Sequence, residues 1–176
     1  MTDNRLEKNS EKTDSNQIGF GGGCHWCTEA VFASLRGVLQ VQQGFICSRA
    51  PHDFYSEAVL VNFDRACVSL DILIEIHLRT HASSSAHSMR KKYRSAIYVH
   101  DEQQSQDCRT ALESLQSAFA KPLITQVLTI EGFVHSEDRY KNYYATDPSR
   151  PFCITRIEPK LAMLQRDFGQ YLKSPS

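Results

Sequence analysis

The 176-residue chain has no excess of either charge, because twenty Lys and Arg balance twenty Asp and Glu. With no overall field it cannot hold nucleic acid or an anionic membrane by long-range attraction, and the basic run RKKYR (Arg90 to Arg94) is too short to change that. Long apolar runs are missing as well. None reaches the ~18 residues that a membrane-spanning helix needs, and the polar opening MTDNRLEKNSEKTDSNQ has no apolar segment of the kind a secretory signal requires. Repeats and linker-like stretches are also lacking, so the length is read as one domain. The expectation is a soluble, cytoplasmic monomer that takes a small, locally recognised substrate.

What the chain does have is six cysteines, at 24, 27, 47, 67, 108 and 153. Without an export signal, and in a chain larger than the small disulfide scaffolds, they read as thiols in a reducing compartment. Some of these are then reactive and others are simply buried.

Residues 1–15 are charged, rich in Ser and Asn, and too poor in apolar side chains to repay the entropy of ordering, which predicts a flexible tail before a domain over 16–173. IGFGGG reads as a strand running into a glycine turn. The segment Cys24 to Arg36 follows at helical spacing and is closed by Gly37. VLQVQQGFIC and FYSEAVLVNFD read as paired strands, the second placing Glu57 on one face with Val59, Val61 and Phe63. SLDILIEIHLRTH is a helix capped by Ser69, YRSAIYVH a strand, and Asp101 caps a polar helix reaching Phe119. LITQVLTIEGFV reads as one further strand, a last helix is expected near Ser136, and DPSRPFC is expected to be extended because of its prolines. This mixture of elements predicts an α+β two-layer sandwich with a mixed or antiparallel sheet.

The stretch GGGCHWC admits three chemistries. Cys24 and Cys27 with His77 and His81 would make a zinc-stabilised module, although the two halves lie much farther apart than in compact zinc fingers. A thioredoxin-like dithiol oxidoreductase would need a βαβ pattern that the following strands do not continue. In the third reading Cys24 is a nucleophile. Three glycines leave its sulfur open, the helix N-terminus lowers its pKa, and Trp26 supplies an aromatic wall suited to a sulfur-bearing methyl group.

Gly23-Cys24-His25-Trp26 with Glu29, YSEAVLVNFD, KYRSAIY, FVHSEDRYKNYY and DPSRPFC occur in the order found in the A-class peptide methionine sulfoxide reductases, a family that the chain resembles over roughly residues 18 to 165. The resemblance implies a ferredoxin-like fold and a thiol reaction that needs no cofactor or metal. A cysteine thiolate attacks the S-epimer sulfoxide of methionine, free or in proteins, and is left as a sulfenic acid. A second cysteine then forms a disulfide, which thioredoxin reduces. On this likeness Cys24 is the nucleophile, Glu57 the acid and Tyr93 a hydrogen-bond donor to the departing oxygen, with His25, Trp26, Phe45 and Ser88 around the substrate. Cys153 and Cys27 are the candidates for resolution. Cys153 is favoured because a loop cysteine can swing toward Cys24, whereas Cys27 is about one turn into a helix.

Three positions depart from the family. His25 stands where Phe is usual, Phe45 where a second Tyr is usual, and Ser88 where an Asp is usual, so the aromatic pocket gains a titratable ring while the oxygen loses a hydroxyl and a carboxylate. Cys67 and Cys108 are assigned to surface or packing, and Cys47 is left open.

Overall fold

The computed structural model describes residues 16–174, so the expected tail over residues 1–15 lies outside the described residues. Six strands form one sheet in the order β5-β4-β1-β3-β2-β6. They are β1 (Gln17–Gly21), β2 (Val38–Cys47), β3 (Ser56–Phe63), β4 (Ala96–Val99), β5 (Gln126–Thr129) and β6 (Gly132–His135). Only the β4–β5 pair is parallel; the other neighbours run antiparallel, so the sheet is mixed.

Alternation along β3 sorts the core into two faces. Val59, Val61 and Phe63 join the large cluster under the helices, and Ala58 and Leu60 join Ile46, Ala96 and Tyr98 in a small cluster on the other face. The helical layer consists of α1 (His25–Ala33), α2 (Leu70–Thr80), α3 (Glu102–Leu115), the short α4 (Tyr143–Thr146) and α5 (Glu158–Phe168). Ser69 caps α2 by accepting from Ile72 N, and Asp101 caps α3 by accepting from Gln104 N at 2.7 Å, as their sequences predict. This is the α+β architecture expected from the sequence. Among the described residues no helix is long and apolar enough to cross a membrane.

Four local expectations are corrected. LITQVLTIEGFV is two strands. β5 pairs with β4 at one edge and β6 with β2 at the other, and Ile130 and Glu131 alone join them, donating to Val99 O and Cys47 O respectively. The sheet must therefore curl so that its two edges meet. α1 stops at Ala33, and Gly37, at φ 88°, shapes the turn into β2 instead of capping the helix. No long helix starts at Ser136, where a 3-10 turn (Asp138–Tyr140) and α4 stand. Cys153 is not in an extended loop either. It opens a π-turn (Cys153–Ile157) that runs straight into α5, because Pro151 lies in the first helical turn, where its missing N–H costs nothing.

Candidate active site

β1 delivers the chain to the N-terminus of α1 through Gly21, Gly22 and Gly23, and each glycine has a different surrounding. A side chain at Gly22 would collide with the His81 ring, whereas at Gly23 nothing lies within 4 Å, which leaves the approach to Cys24 open. The loop is held from below and from the side. His77 Nε2 donates to Gly21 O at 2.8 Å, and Arg90 Nη1 donates to Gly22 O at 2.9 Å and to Tyr93 O at 2.9 Å.

Cys24 is the N-cap residue of α1, half-buried, and its carbonyl accepts from Cys27 N at 3.1 Å. The Cys27 thiol lies in the buried cluster packed beside it. That thiol, followed by burial, pushes the Cys24 thiol up, against the opposing pull of the Trp26 backbone N–H. Cys27 moves the other way, held below the usual thiol range first by the Cys24 thiol and then by the positive charges of Lys160 and Arg156. Two neighbouring thiols cannot both ionise readily. The Trp26 backbone N–H at the helix terminus lowers the Cys24 thiol as its position predicts, but the Cys27 thiol and burial act the other way and the net direction is up.

Trp26 is walled by aromatics that the sequence reading did not single out. Its ring stacks on Tyr143 at 4.0 Å and 8°, meets Phe152 edge-on at 5.2 Å, and has Tyr140 at 5.7 Å. Glu29, 4 % exposed, fixes this wall by accepting from Tyr143 N at 3.2 Å and from Gln43 Nε2 at 3.1 Å. The clustering of three tyrosines at 140, 143 and 144 was the available signal, but that Tyr140 and Tyr143 face Trp26 depends on the fold.

Glu57 lies on the helix-facing side of β3 and is only 9 % exposed. Burial pushes its carboxyl up to about 7, with Lys92 opposing from its positive charge. His25, 4 % exposed, places Nε2 3.3 Å from Glu57 Oε1 and packs edge-on against Phe45, the strand partner of Glu57, at 5.1 Å. Burial lowers the His25 pKa, so the ring is neutral at neutral pH. The ring nitrogens of His25 face Gly44 and Glu57.

Tyr93 follows the 3-10 turn Ser88–Lys91 and is half-buried. The preceding carbonyl, Lys92 O, accepts from Glu57 N at 3.1 Å, which ties the Tyr93 segment to the start of β3, and the Lys92 ammonium lies over the Tyr93 ring, 5.2 Å from its centroid. Ser88 is exposed at the start of the same turn.

Cys153 is fully buried and shares a cluster with Cys27, Ala30 and Ile157, with Cys24 and Trp26 packed against it. The fold thus brings Cys153 from far along the chain to Cys24 and Cys27 beneath one aromatic wall. Cys108 is buried in the main core, Cys67 is exposed, and the half-buried Cys47 thiol contacts the Tyr55 hydroxyl.

The imidazoles that the zinc reading required are engaged elsewhere. His77 bonds Gly21, and His81 uses both ring nitrogens, on His77 O and on Ser95 Oγ at 2.8 Å. Among the described residues no group of three or more His, Cys, Asp or Glu is arranged to hold a metal ion.

A family model described as peptide methionine sulfoxide reductase matches residues 16–172. The chain is similar to a peptide methionine sulfoxide reductase MsrA of Deinococcus radiodurans, 34% identical over 173 residues covering 89% of this chain and 84% of that one. It is 31% identical to one from Acinetobacter baumannii, over 90% of this chain and 99% of the relative. Solved structures with the same fold include Mxr1 from Saccharomyces cerevisiae in reduced form, with TM-score 0.70, 18% identity and coverage of 80% and 90% of the two chains. Mxr1 has also been solved in complex with Trx2, with TM-score 0.58, 17% identity and coverage of 70% and 82%.

Proposed function

The chain belongs to the peptide methionine sulfoxide reductase family and reduces methionine S-sulfoxide to methionine; from that premise we propose that Cys24 is its nucleophile, Glu57 its proton donor, and the Trp26–Tyr143 wall its site for the substrate methyl group. The observation that carries this reading is the buried carboxyl of Glu57, whose pKa burial pushes up to about 7, in the same site as a half-buried cysteine at a helix N-terminus. Sulfoxide oxygen leaves only when it receives a proton, and an ordinary exposed glutamate would have none to give at neutral pH.

In the first half-reaction the Cys24 thiol gives up its proton and its sulfur takes the oxygen, while Glu57 protonates that oxygen. The methionine S–O bond breaks and a cysteine S–O bond forms, so two electrons pass from cysteine sulfur to methionine sulfur. Tyr93 donates a further hydrogen bond at the oxygen. In the second half-reaction a neighbouring thiol attacks the sulfenic acid, the S–S bond replaces the S–O bond, and water leaves.

We assign resolution first to Cys27, which packs beside Cys24 at the start of the same helix, in place of the swing of Cys153 expected from the sequence. Cys153 is enclosed in the same cluster and serves as the acceptor when the disulfide migrates toward an external dithiol. The Mxr1 complex with Trx2 supports a reductant of thioredoxin type. The alternatives of a zinc module or a general dithiol oxidoreductase are not favoured. Cys24→Ser tests the assignment. It is expected to abolish reduction of the S epimer while leaving the unfolding transition unchanged, and retained turnover would remove Cys24 from the role.

A further inference from the structure

His25 opens α1 with its ring anchored to the β2–β3 ladder. Nδ1 lies 2.8 Å from Gly44 O, and because a carbonyl only accepts, Nδ1 carries a hydrogen in either charge state. In the neutral ring Nε2 is therefore the nitrogen without hydrogen, and it lies 3.3 Å from Glu57 Oε1. The other carboxyl oxygen, Oε2, is buried with no hydrogen-bond partner. One oxygen of the acid thus faces an acceptor that binds it only when it is protonated, and the other is left with its bonding capacity unfilled, as a site awaiting a ligand oxygen would be.

We propose that His25 and Glu57 form one proton-sharing unit, in which His25 is a positioning residue that transfers the acid's proton from the oxygen facing the imidazole to the oxygen facing the substrate. This rests on the reading of Glu57 as the proton donor. At rest the proton is on Oε1 and points at Nε2. During activation Oε1 passes it to Nε2 while Oε2 takes the proton of the Cys24 thiol, so the thiolate forms and the acid's proton stands on Oε2. The sulfoxide oxygen then leaves methionine for the Cys24 sulfur and takes the Oε2 proton, and the imidazolium returns its own proton to Oε1. The net change is the transfer of one thiol proton to the oxygen, and the pair ends as it began. The same cycle moves the resolving thiol's proton to the hydroxide that leaves as water.

The charged and titratable groups that face the pair are few. Lys92 acts on both members through its positive charge and titrates far on the alkaline side, and the Glu57 charge in turn raises the Cys24 and Cys27 thiols. All three remain in a His25→Phe protein. The test is single-turnover formation of methionine from its S-sulfoxide by fully reduced wild type, His25→Phe and Glu57→Gln, from about pH 5 to about pH 9. Wild type should give a bell. Its acid limb lies below the ordinary imidazole value, where His25 already holds a second proton and cannot accept, and its alkaline limb marks loss of the shared proton. His25→Phe should lose the acid limb and fall about tenfold in kcat, with KM changed less than about twofold. An unchanged bell and kcat in His25→Phe would overturn the inference. If Glu57→Gln is dead while His25→Phe behaves as wild type, only the role of His25 falls; if Glu57→Gln turns over normally, the assignment of Glu57 falls with it. Should His25→Phe fail to fold, nitrogen-15 spectra of wild type decide. The Nδ1–H tautomer, with an Nε2 signal that moves in Glu57→Gln, is expected, and an Nε2–H tautomer would overturn the proposal.

Discussion

Replacing Glu57 by Gln should remove activity and strengthen the fold, and the two effects have the same cause. The Glu57 side chain is 11% exposed, and burial raises its pKa from 4.5 to about 7. A carboxyl whose pKa is raised on folding takes up a proton as the chain folds. Its favourable share of stability is therefore complete below the unfolded value and is lost as pH rises through the folded one. At about 1.4 kcal/mol per pKa unit, that shift makes the wild-type fold about 3 kcal/mol weaker above neutral pH than it would be with a neutral side chain of the same shape. Glutamine is that side chain. In urea unfolding the two fully reduced proteins should be nearly equal near about pH 4, and the variant should lead by about 3 kcal/mol near about pH 8, with the gap opening between 4.5 and about 7. Turnover of the variant should fall by about 10²- to 10⁴-fold, the usual worth of a positioned acid. Parallel stability curves across that range would refute the claim that the carboxyl is buried and protonated.

Other perturbations separate the remaining parts of the site. Peptide mapping after one turnover without reductant should find a Cys24–Cys27 disulfide; Cys27→Ser should slow thiol loss and divert the bond to Cys153, whereas Cys153→Ser should leave the first disulfide unaffected. Tyr143→Ala removes the ring stacked on Trp26 and should raise KM about three- to tenfold with little change in kcat, since a stacked pair is worth about 0.5–1.5 kcal/mol. Gly22→Ala forces a methyl group into the His81 ring and should cost about 1–3 kcal/mol in thermal unfolding, together with much of the turnover, because the loop it displaces carries Cys24.

The nucleophile's surroundings were legible in the sequence because they are local. Glycines, cysteine and tryptophan lie within seven residues, and the alternation of FYSEAVLVNF places Glu57 on its face by period alone. The caps at Ser69 and Asp101 were legible for the same reason. What could not be read was set by long-range closure. The segment holding β5 and β6 has strand composition throughout, and only the curl of the sheet decides that its halves serve opposite edges. Cys153 was misplaced because proline was weighed as a breaker, whereas at the first turn of a helix it is tolerated. His25 looked like a substituted pocket wall, and its partners Gly44 and Glu57 come from two other elements. Neither the Tyr143–Trp26 stack nor the Arg90 and His77 anchors on the glycine loop have any sequence signal beyond composition.

The central claim concerns one sulfur atom and one stereoisomer. Fully reduced protein should be given one equivalent of the S or the R sulfoxide of a methionyl peptide in the presence of a nucleophilic trap for sulfenic acids, and the products mapped by mass. Thioether is expected from the S epimer only, with the trap bonded to the Cys24 sulfur in place of the sulfenic oxygen, which leaves as water. An adduct on another cysteine, or equal consumption of the R epimer, would contradict that claim.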